Sequence, residues 1–476
     1  MRPLMWFRAD LRTRDNTALS AACAAASKGV LAVFTICPKQ WREHDWGDPR
    51  VGFLRRNLID LSKSLEGRNV ALKIIERDTF DGVEADLLKL ANEHDCTALF
   101  FNEEYEVNER ARDARVAAAF AKAGLSIRSF HDQCVIPPGE LRTQEDKPYT
   151  VYSPFKRKWY AHYNDGNAVK AQGLAKKQPE MIATPDAIPE EFGDYDPDAG
   201  RPDLRKAGED HARARLSSFI EGRLEPYKED RDYPAINGTS TISPYLAIGA
   251  ISPRQCIEAA LDANNGKLDT GGKGPVHWMS EVIWREFYRQ ILLAFPRVCR
   301  HQAFNPKYDI EWRTDKKAKE EFDAWCEGKT GYPIVDAAMR QLNQTGWMHN
   351  RVRMAVAMFL TKDLLIDWRW GERYFMQHLV DGDLASNNGG WQWSAATGTD
   401  AAPYFRIFNP ISQSKKFDPD GKYIRTFVDE LAGVDDDDIH TPWEHDGLLS
   451  EANYPERIVD HQQARQRALK AFKIEG

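Results

Sequence analysis

VLAVFTICPKQWREHDWGDPRVGFLRRNLIDLSKSLEGRNVALKII, residues 30–75, holds two short apolar runs, Val30–Ile36 and Val70–Ile75, around an amphipathic stretch. Within that stretch Leu54, Leu58, Leu61 and Leu65 step by four, three and four, which is one face of a helix. Similar apolar runs occur at Leu4–Phe7, Ala98–Phe101 and Ser126–Phe130, again with amphipathic sequence between them. Short apolar strands alternating with helices argue for a doubly wound parallel α/β sheet. No G-x-G-x-x-G follows the first run, so a dinucleotide site of the Rossmann type is not supported in this part of the chain.

Outward from that region the pattern changes twice. From about His131 to Asp210 the alternation breaks down, and AIPEEFGDYDPDAGRPDLRKAGED (187–210) is rich in Pro, Gly and acids. It reads as a long connector lying over the surface. From there to the end helical periodicity dominates. SPYLAIGAIS (243–252) offers Ser243 as an N-cap with Pro244 at the first helical position. HWMSEVIWREFYRQILLAF (277–295) reads as a helix of about five turns. Pro333 stands near a further helix start, with Val335, Ala338, Met339 and Leu342 on one face. The expected architecture is an N-terminal α/β domain (1–130), a connector (131–208) and an all-α domain (209–476).

Composition bounds the function. A net charge of -7 and a pI near 6.0 exclude a generally basic protein but not a local basic face. The seven Cys form no C-x-x-C pair, so free thiols in a reducing compartment are expected. MRPLMWFRADLRTRD becomes charged at once, unlike a signal peptide, and no apolar run approaches membrane-span length. A soluble cytoplasmic protein is expected. Twelve scattered His, without H-E-x-x-H or a His/Cys cluster, provide no metal site, and G-x-S-x-G is absent. The load of 14 Trp is high; core packing accounts for most Trp in most proteins.

Three stretches nevertheless concentrate chemistry. On the helix from His277, Trp278, Glu281 and Arg285 fall at i, i+3 and i+7, and Glu281, Trp284 and Tyr288 form an adjoining stripe. From the pattern alone, a structural ion pair on a half-buried face explains them as well as a site does. TGWMHNRVRMAVAMFLTKDLLIDWRWGERYF (345–375) puts Asn350, Arg353 and Met354 on one face, with Arg351, Lys362, Arg369 and Arg373 adding charge. A basic solvent face would explain it; buried Arg would need acids, for which Asp381 and Asp383 are candidates. Upstream, Tyr227, Arg231, Thr239, Ser240, Thr241 and Ser243 bring hydroxyls to a helix entrance, either as caps or as a pyrophosphate site.

EVIWREFYRQ (281–290), KTGYPIVDAAMRQLNQTGWMHNRVRM (329–354) and DGDLASNNGGWQW (381–393) together resemble the photolyase/cryptochrome family. The resemblance runs from MWFRADLRTRDN (5–16) to FRIFNPISQSKKFD (405–418) and is closest to the class I cyclobutane pyrimidine dimer photolyases. It implies a carbon–carbon lyase that repairs such dimers in DNA by electron transfer from photoexcited reduced FAD to a flipped-out lesion. A blue-light receptor of the cryptochrome type is the alternative. The FAD contacts that it implies are Tyr227, Thr239, Ser240, Thr241, Ile242, Ser243, Trp278, Glu281, Arg285, Asn350, Arg353, Asp381, Asp383 and Asn387, with Arg353 paired to Asp381 and Asn387 facing flavin N5. Plant-type cryptochromes carry an acid at the position of Asn387, so the Asn favours repair.

For substrate the resemblance implies Glu281 and Asn350 on the damaged bases, Trp284, Met354 and Trp393 lining an apolar pocket, and Arg231 and Arg351 on phosphates. Trp391, Trp368 and Trp312 match an electron-hopping chain. His44, Asn108 and Glu109, in REHDW and YEVNERARD, match a methenyltetrahydrofolate antenna site, with deazaflavin or no antenna as alternatives. Arg300 stands where folate-binding relatives commonly have Lys, a change that keeps charge but not shape. The partner is dimer-containing DNA, no membrane is expected, and a monomer is. A six-four photolyase would need a His pair where His349 is followed by Asn350. A DASH-type protein would usually have Tyr at Trp393. In DGDLASNNGGWQW, Trp391 and Trp393 are divided by a strand-like or turn-like alternation, the two Gly allow close approach of the ring system, and Asn388 has no role beyond turn geometry.

Overall fold

The computed structural model describes residues 1–168, 170–444 and 453–472. Five parallel strands form one sheet in the order β3-β2-β1-β4-β5: β1 Pro3–Phe7, β2 Leu31–Ile36, β3 Ala71–Glu76, β4 Ala98–Asn102 and β5 Ser126–Phe130. Every apolar run anticipated from sequence is a strand. The central strands are buried along their whole length, which is why LMWF, LAVFTI and ALFFN are continuous apolar runs rather than alternating ones. Edge strand β5, SIRSF, is partly exposed and accordingly mixed. The intervening helices are α1 Thr17–Ala25, α2 Pro38–Glu43, α3 Asp48–Glu66, α4 Val83–Glu93 and α5 Val107–Lys122. Leu54, Leu58, Leu61 and Leu65 are all buried on α3.

The chain divides into two compact units that interleave in sequence. The first comprises residues 1–225, 240–296 and 380–382, the second 226–239, 297–379 and 383–476. In the first, the sheet is joined to later helices by a fully buried ion cluster. Arg254, on the helix Pro253–Ala263, reaches Asp15 at 3.0 Å and Asp132 at 2.6 Å, and Arg12 pairs with Asp132 as well. The two guanidiniums overcome the burial of Asp132 and hold its carboxyl well below the usual range.

The connector is not purely irregular. It contains a helix, Tyr152–Asn164, whose Tyr152, Phe155 and Trp159 are buried at i, i+3 and i+7. Lys and Arg between those aromatics, and Pro154 in the first turn, masked the period. Tyr152 donates to the Ser280 carbonyl at 2.7 Å and Trp159 to Glu286 at 2.7 Å, so this helix packs on Lys273–Ala294. Glu286, 2% exposed, also accepts from the backbone N–H groups of Val135 and Ile136. Burial still pushes its carboxyl up to about 7.

The second unit is helical among the described residues. Its helices include Lys316–Glu327, Pro333–Thr345, Asn350–Met358, Trp368–His378, Leu384–Ala395 and His461–Ala471. They share a core built on Trp325, Tyr332, Trp368 and Trp391. Gly371 is required there: a Cβ at that position would stand 2.1 Å from the Trp391 ring. Two expectations change. The short helix is Ser243–Ile248 with Ile242 as its N-cap, so Ser243 lies one residue inside and does not cap it. Lys362 is not on a basic solvent face: it is 1% exposed in a π-helical turn, Phe359–Asp363, with its ammonium 3.5 Å from the Phe472 ring. Burial brings its pKa down to about 7.

Candidate functional site

In the first unit the hydroxyl segment enters the helix Ser243–Ile248 through a strained residue. Thr241 has φ +47°, unusual for a β-branched side chain and costing about 1–3 kcal/mol. Its hydroxyl bonds the Ser240 carbonyl at 2.8 Å, and Ser243 Oγ donates to Asp381 at 2.6 Å. Asp381 therefore meets Ser243 across 138 positions of sequence. Arg215 holds the Ser240 carbonyl at 3.0 Å, and Arg205 lies close enough to Asp381 to feel its charge. Both arginines were missed from sequence, since Arg205 sits in the connector-like run and Arg215 on a helix without a distinguishing motif.

On Lys273–Ala294, Trp278 is buried beside Phe219 at 5.2 Å. Arg285 is held by the carbonyls of Gln133, at 2.6 Å, and Leu246, at 3.3 Å. Glu281 is half-buried, 3.7 Å from His277 one turn earlier. Trp284 stacks on Tyr152, with centroids 3.6 Å apart and planes within 11°. Tyr152 is a further site candidate that sequence reading missed, because its helix was taken as connector.

In the second unit, His349 is the N-cap of Asn350–Met358, its Nδ1 accepting from the Arg351 N–H at 3.2 Å. His349 is 2% exposed and its Nε2 is buried without a hydrogen-bond partner. Burial first, then the charges of Arg231, Arg353 and Arg351, push it down to about 4. Asn350 is exposed, and Arg353 Nε donates to the Met348 carbonyl at 2.8 Å. Arg351 pairs with Asp232, which also lies 3.9 Å from Arg231, and an Arg351 guanidinium nitrogen lies 3.9 Å from Met354 Sδ. Arg231 also lies 5.5 Å from the ring of the buried Tyr227. Within this unit Arg369 meets Asp309 and Asp367. The acids serving Arg351 and Arg369 here are thus Asp232, Asp309 and Asp367, not those first suggested.

DGDLASNNGGWQW is mostly helix, not strand or turn. Asp383 caps Leu384–Ala395 by accepting from the Ser386 N–H at 3.1 Å. Two residues on a helix are about 200° apart, so Trp391 and Trp393 still face opposite ways. Trp391 is 2% exposed, against Phe375 at 5.0 Å and Trp325 at 6.0 Å, whereas Trp393 is half-buried. Asn387 Nδ2 donates to the Glu372 carbonyl at 2.9 Å. Asn388 has a definite place: buried, it donates to the Glu372 carboxylate at 2.8 Å and accepts from Gln392 at 2.7 Å. Glu372 is completed by His301 at 2.8 Å. A Cβ at Gly390 would meet nothing within 4 Å. Trp368 and Trp312 belong to the same core as Trp391, at 0% and 9% exposure.

Around α5 three of the antenna candidates, His44, Asn108 and Glu109, meet. His44 Nε2 lies 2.9 Å from Asn108 Nδ2, and His44 Nδ1 lies 3.3 Å from Glu109. Burial raises the Glu109 carboxyl, but His44 and Arg112 outweigh it and the net shift is downward. Arg300 is exposed at the end of a 3-10 turn in the second unit. At the carboxyl ends of the strands, where open α/β sheets bind ligands, Trp41, Trp46, Arg8, Arg50, Phe80 and Arg112 leave about 30 Å³. That is room on the scale of one water.

Residues 3–179 match a family model described as DNA photolyase, and 278–474 match the FAD binding domain of DNA photolyase. The chain is 44% identical over 473 residues to a deoxyribodipyrimidine photo-lyase of Vibrio cholerae, covering 99% of each. The chain belongs to the DNA photolyase family. A second photolyase relative, from Escherichia coli, is 43% identical, covering 99% of this chain and 98% of its own. A solved class III photolyase of Agrobacterium tumefaciens superposes with a TM-score of 0.87 at 37% identity, covering 99% and 97%. Taken unit by unit, the residues suit FAD: in the first, the hydroxyls of Ser240, Thr241 and Ser243 suit phosphates, and in the second, the buried His349 Nε2 has no protein hydrogen-bond partner and Asn387 presents an uncharged amide.

Proposed function

We propose that the chain repairs cyclobutane pyrimidine dimers in DNA under light, as a carbon–carbon lyase that uses FAD. The curated relatives are named for this activity. The observation that carries the reading is Asn387. One N–H of its amide bonds the Glu372 carbonyl, which orients the side chain and leaves its Oδ1 as an acceptor without charge. Such an acceptor suits the N–H of a reduced flavin ring, where a carboxylate would add negative charge. FAD held by these residues would supply the light-driven one-electron chemistry, for which the protein's side chains have no group of their own.

The protein's own residues hold, orient and screen. Thr239, Ser240, Thr241, Ile242 and Ser243 bind the phosphates, with Asp381 fixing Ser243. Tyr227, Trp278, Arg285, Arg353, Asp383 and Asn387 complete the cofactor set. Glu281 and Asn350 hydrogen-bond the damaged bases, and Trp284, Met354 and Trp393 stack on them, which returns about 1–3 kcal/mol per base against the cost of flipping. Arg231 and Arg351 take phosphates, so affinity falls with salt. Trp391, Trp368 and Trp312 relay electrons that reduce oxidised FAD. His44, Asn108, Glu109 and Arg300 hold a folate antenna. Residues 1–130 serve the antenna, 131–208 connect and 209–476 hold FAD and DNA, in a cytoplasmic monomer.

The decisive experiment mixes photoreduced protein with a duplex bearing one thymine dimer. Light restores intact thymines and darkness does not; no restoration in light removes the reading. Absorption of the same sample reports FAD and identifies the antenna.

A further inference from the structure

We propose that Tyr152 is a positioning residue for the damaged bases: it backs the Trp284 indole and fixes the plane on which a flipped-out dimer stacks. This rests on the lesion-stacking role of Trp284 given above.

Trp284 is half-buried on Lys273–Ala294, and three rings of the first unit set its orientation. Tyr152 lies face to face with it, 3.6 Å between centroids and 11° between planes. Phe287 meets it edge-on at 5.5 Å and 83°, and Tyr288 lies tilted at 5.5 Å. At 3.6 Å two ring faces are in van der Waals contact, with no room for a third. One face of the indole is therefore spent on Tyr152, and only the other can take a base. Two aromatic rings left to themselves prefer an offset or edge-on arrangement to so close an overlap. A hydrogen bond holds this pair in register. The Tyr152 hydroxyl donates to the Ser280 carbonyl at 2.7 Å and lies 2.7 Å from Ser280 Oγ. Ser280 stands four residues before Trp284, so one turn of helix holds both the indole and the phenol behind it. Phe287 closes on Tyr152 edge-on at 5.8 Å, which leaves the phenol 5% exposed.

The consequence is preorganisation. A part-exposed indole with nothing behind it samples several rotamers, and stopping that motion on binding costs affinity. With Tyr152 in place the indole meets a lesion already in the stacking plane. Only a base brought out of the duplex reaches that plane, so the gain enters discrimination between damaged and intact DNA. General DNA affinity is carried by phosphate contacts and does not depend on it. The helix of Tyr152 has a second tie, Trp159 Nε1 to Glu286 at 2.7 Å, which keeps it docked when the phenol is removed. Tyr152 thus acts on the substrate through the indole that it backs.

The test uses the full chain with FAD bound and two duplexes, one bearing a single thymine dimer and one intact. Y152L removes the backing plane and Y152F keeps it. Y152L is expected to weaken dark binding of the dimer duplex by about 2–13-fold, the range of one aromatic pair, and to leave the intact duplex unchanged. Repair per flash at saturating protein stays at the unmodified level, so the loss is one of affinity and not of turnover. Y152F restores most of the affinity. A second measurement needs no DNA: in protein carrying 5-fluorotryptophan, the ¹⁹F signal of Trp284, assigned by its loss in W284F, moves in Y152L. If Y152L does not fold, Y152M carries the same prediction. Unchanged dimer affinity in a folded Y152L, with affinity lost in W284F, overturns this proposal and leaves the stacking role of Trp284 standing. Equal losses on both duplexes mark a merely structural role and overturn it as well. Unmodified dimer affinity in W284F removes the stacking role and this proposal with it. No repair in light by the unmodified chain removes the function reading and everything built on it.

Discussion

Two carboxylate–arginine clusters in this molecule use the same groups for different ends. In the first unit Asp15, Asp132, Arg12 and Arg254 lie at 0–2% exposure, and each acid is met by guanidinium and by other donors. In the second, Asp309 and Arg369 are about a quarter exposed, and each also touches an indole. The first cluster ties three stretches of chain together. The second lies against aromatic rings and partly open to water, so it holds the chain together less strongly. What distinguishes the two is burial and neighbours, not pairing.

Breaking the first cluster should have the largest effect. Arg254→Leu leaves Asp15 and Asp132 short of charge in the interior and is expected to cost about 3–5 kcal/mol in denaturant unfolding. Because Asp132 is held below its unfolded value, its contribution is present above the ordinary carboxylate range and is lost as pH falls below about 4, towards its folded pKa. A pH series of unfolding midpoints on Arg254→Leu should therefore be flatter in acid than that of the unmodified chain.

His349 gives the next effect. Its pKa drops from 6.5 unfolded to about 4 folded, so the unfolded state binds the extra proton between those values. Stability is full above about 6.5 and falls on acidification, by up to ~3 kcal/mol at one pKa unit per 1.36 kcal/mol. His349→Asn keeps a cap and should remove that slope; an unchanged slope would assign it elsewhere.

Gly371→Ala drives a methyl into Trp391 and should cost about 1–3 kcal/mol, with a shift in tryptophan fluorescence. The smallest effect on stability is expected at Asp309. A part-exposed pair is worth about 1 kcal/mol or less, so D309N should move the unfolding midpoint little. A D309N variant as unstable as Arg254→Leu would erase the contrast between the two clusters.

Much of the local structure was legible because strand and helix patterns are periodic. Continuous apolar runs marked buried strands, and the stripe of Trp278, Glu281 and Arg285 marked a helix face. The long motifs around Asn350 and Asn387 carried the family. What stayed hidden depended on partners distant in sequence. Tyr152 lay in a helix whose aromatic period was diluted by Lys and Arg. Asn388 looked like a turn residue until Glu372, sixteen positions earlier, and Gln392 closed around it. Lys362 was counted as solvent charge because burial of a Lys has no local signature.

The sequence alone determined the strand–helix alternation and the helical second half. These follow from spacing along the chain, where the helix and strand periods act. Only the tertiary structure decided which arginine meets which acid and which Asn of the pair is buried. Those outcomes depend on distances and burial between segments tens to hundreds of positions apart, and electrostatic energy depends on both.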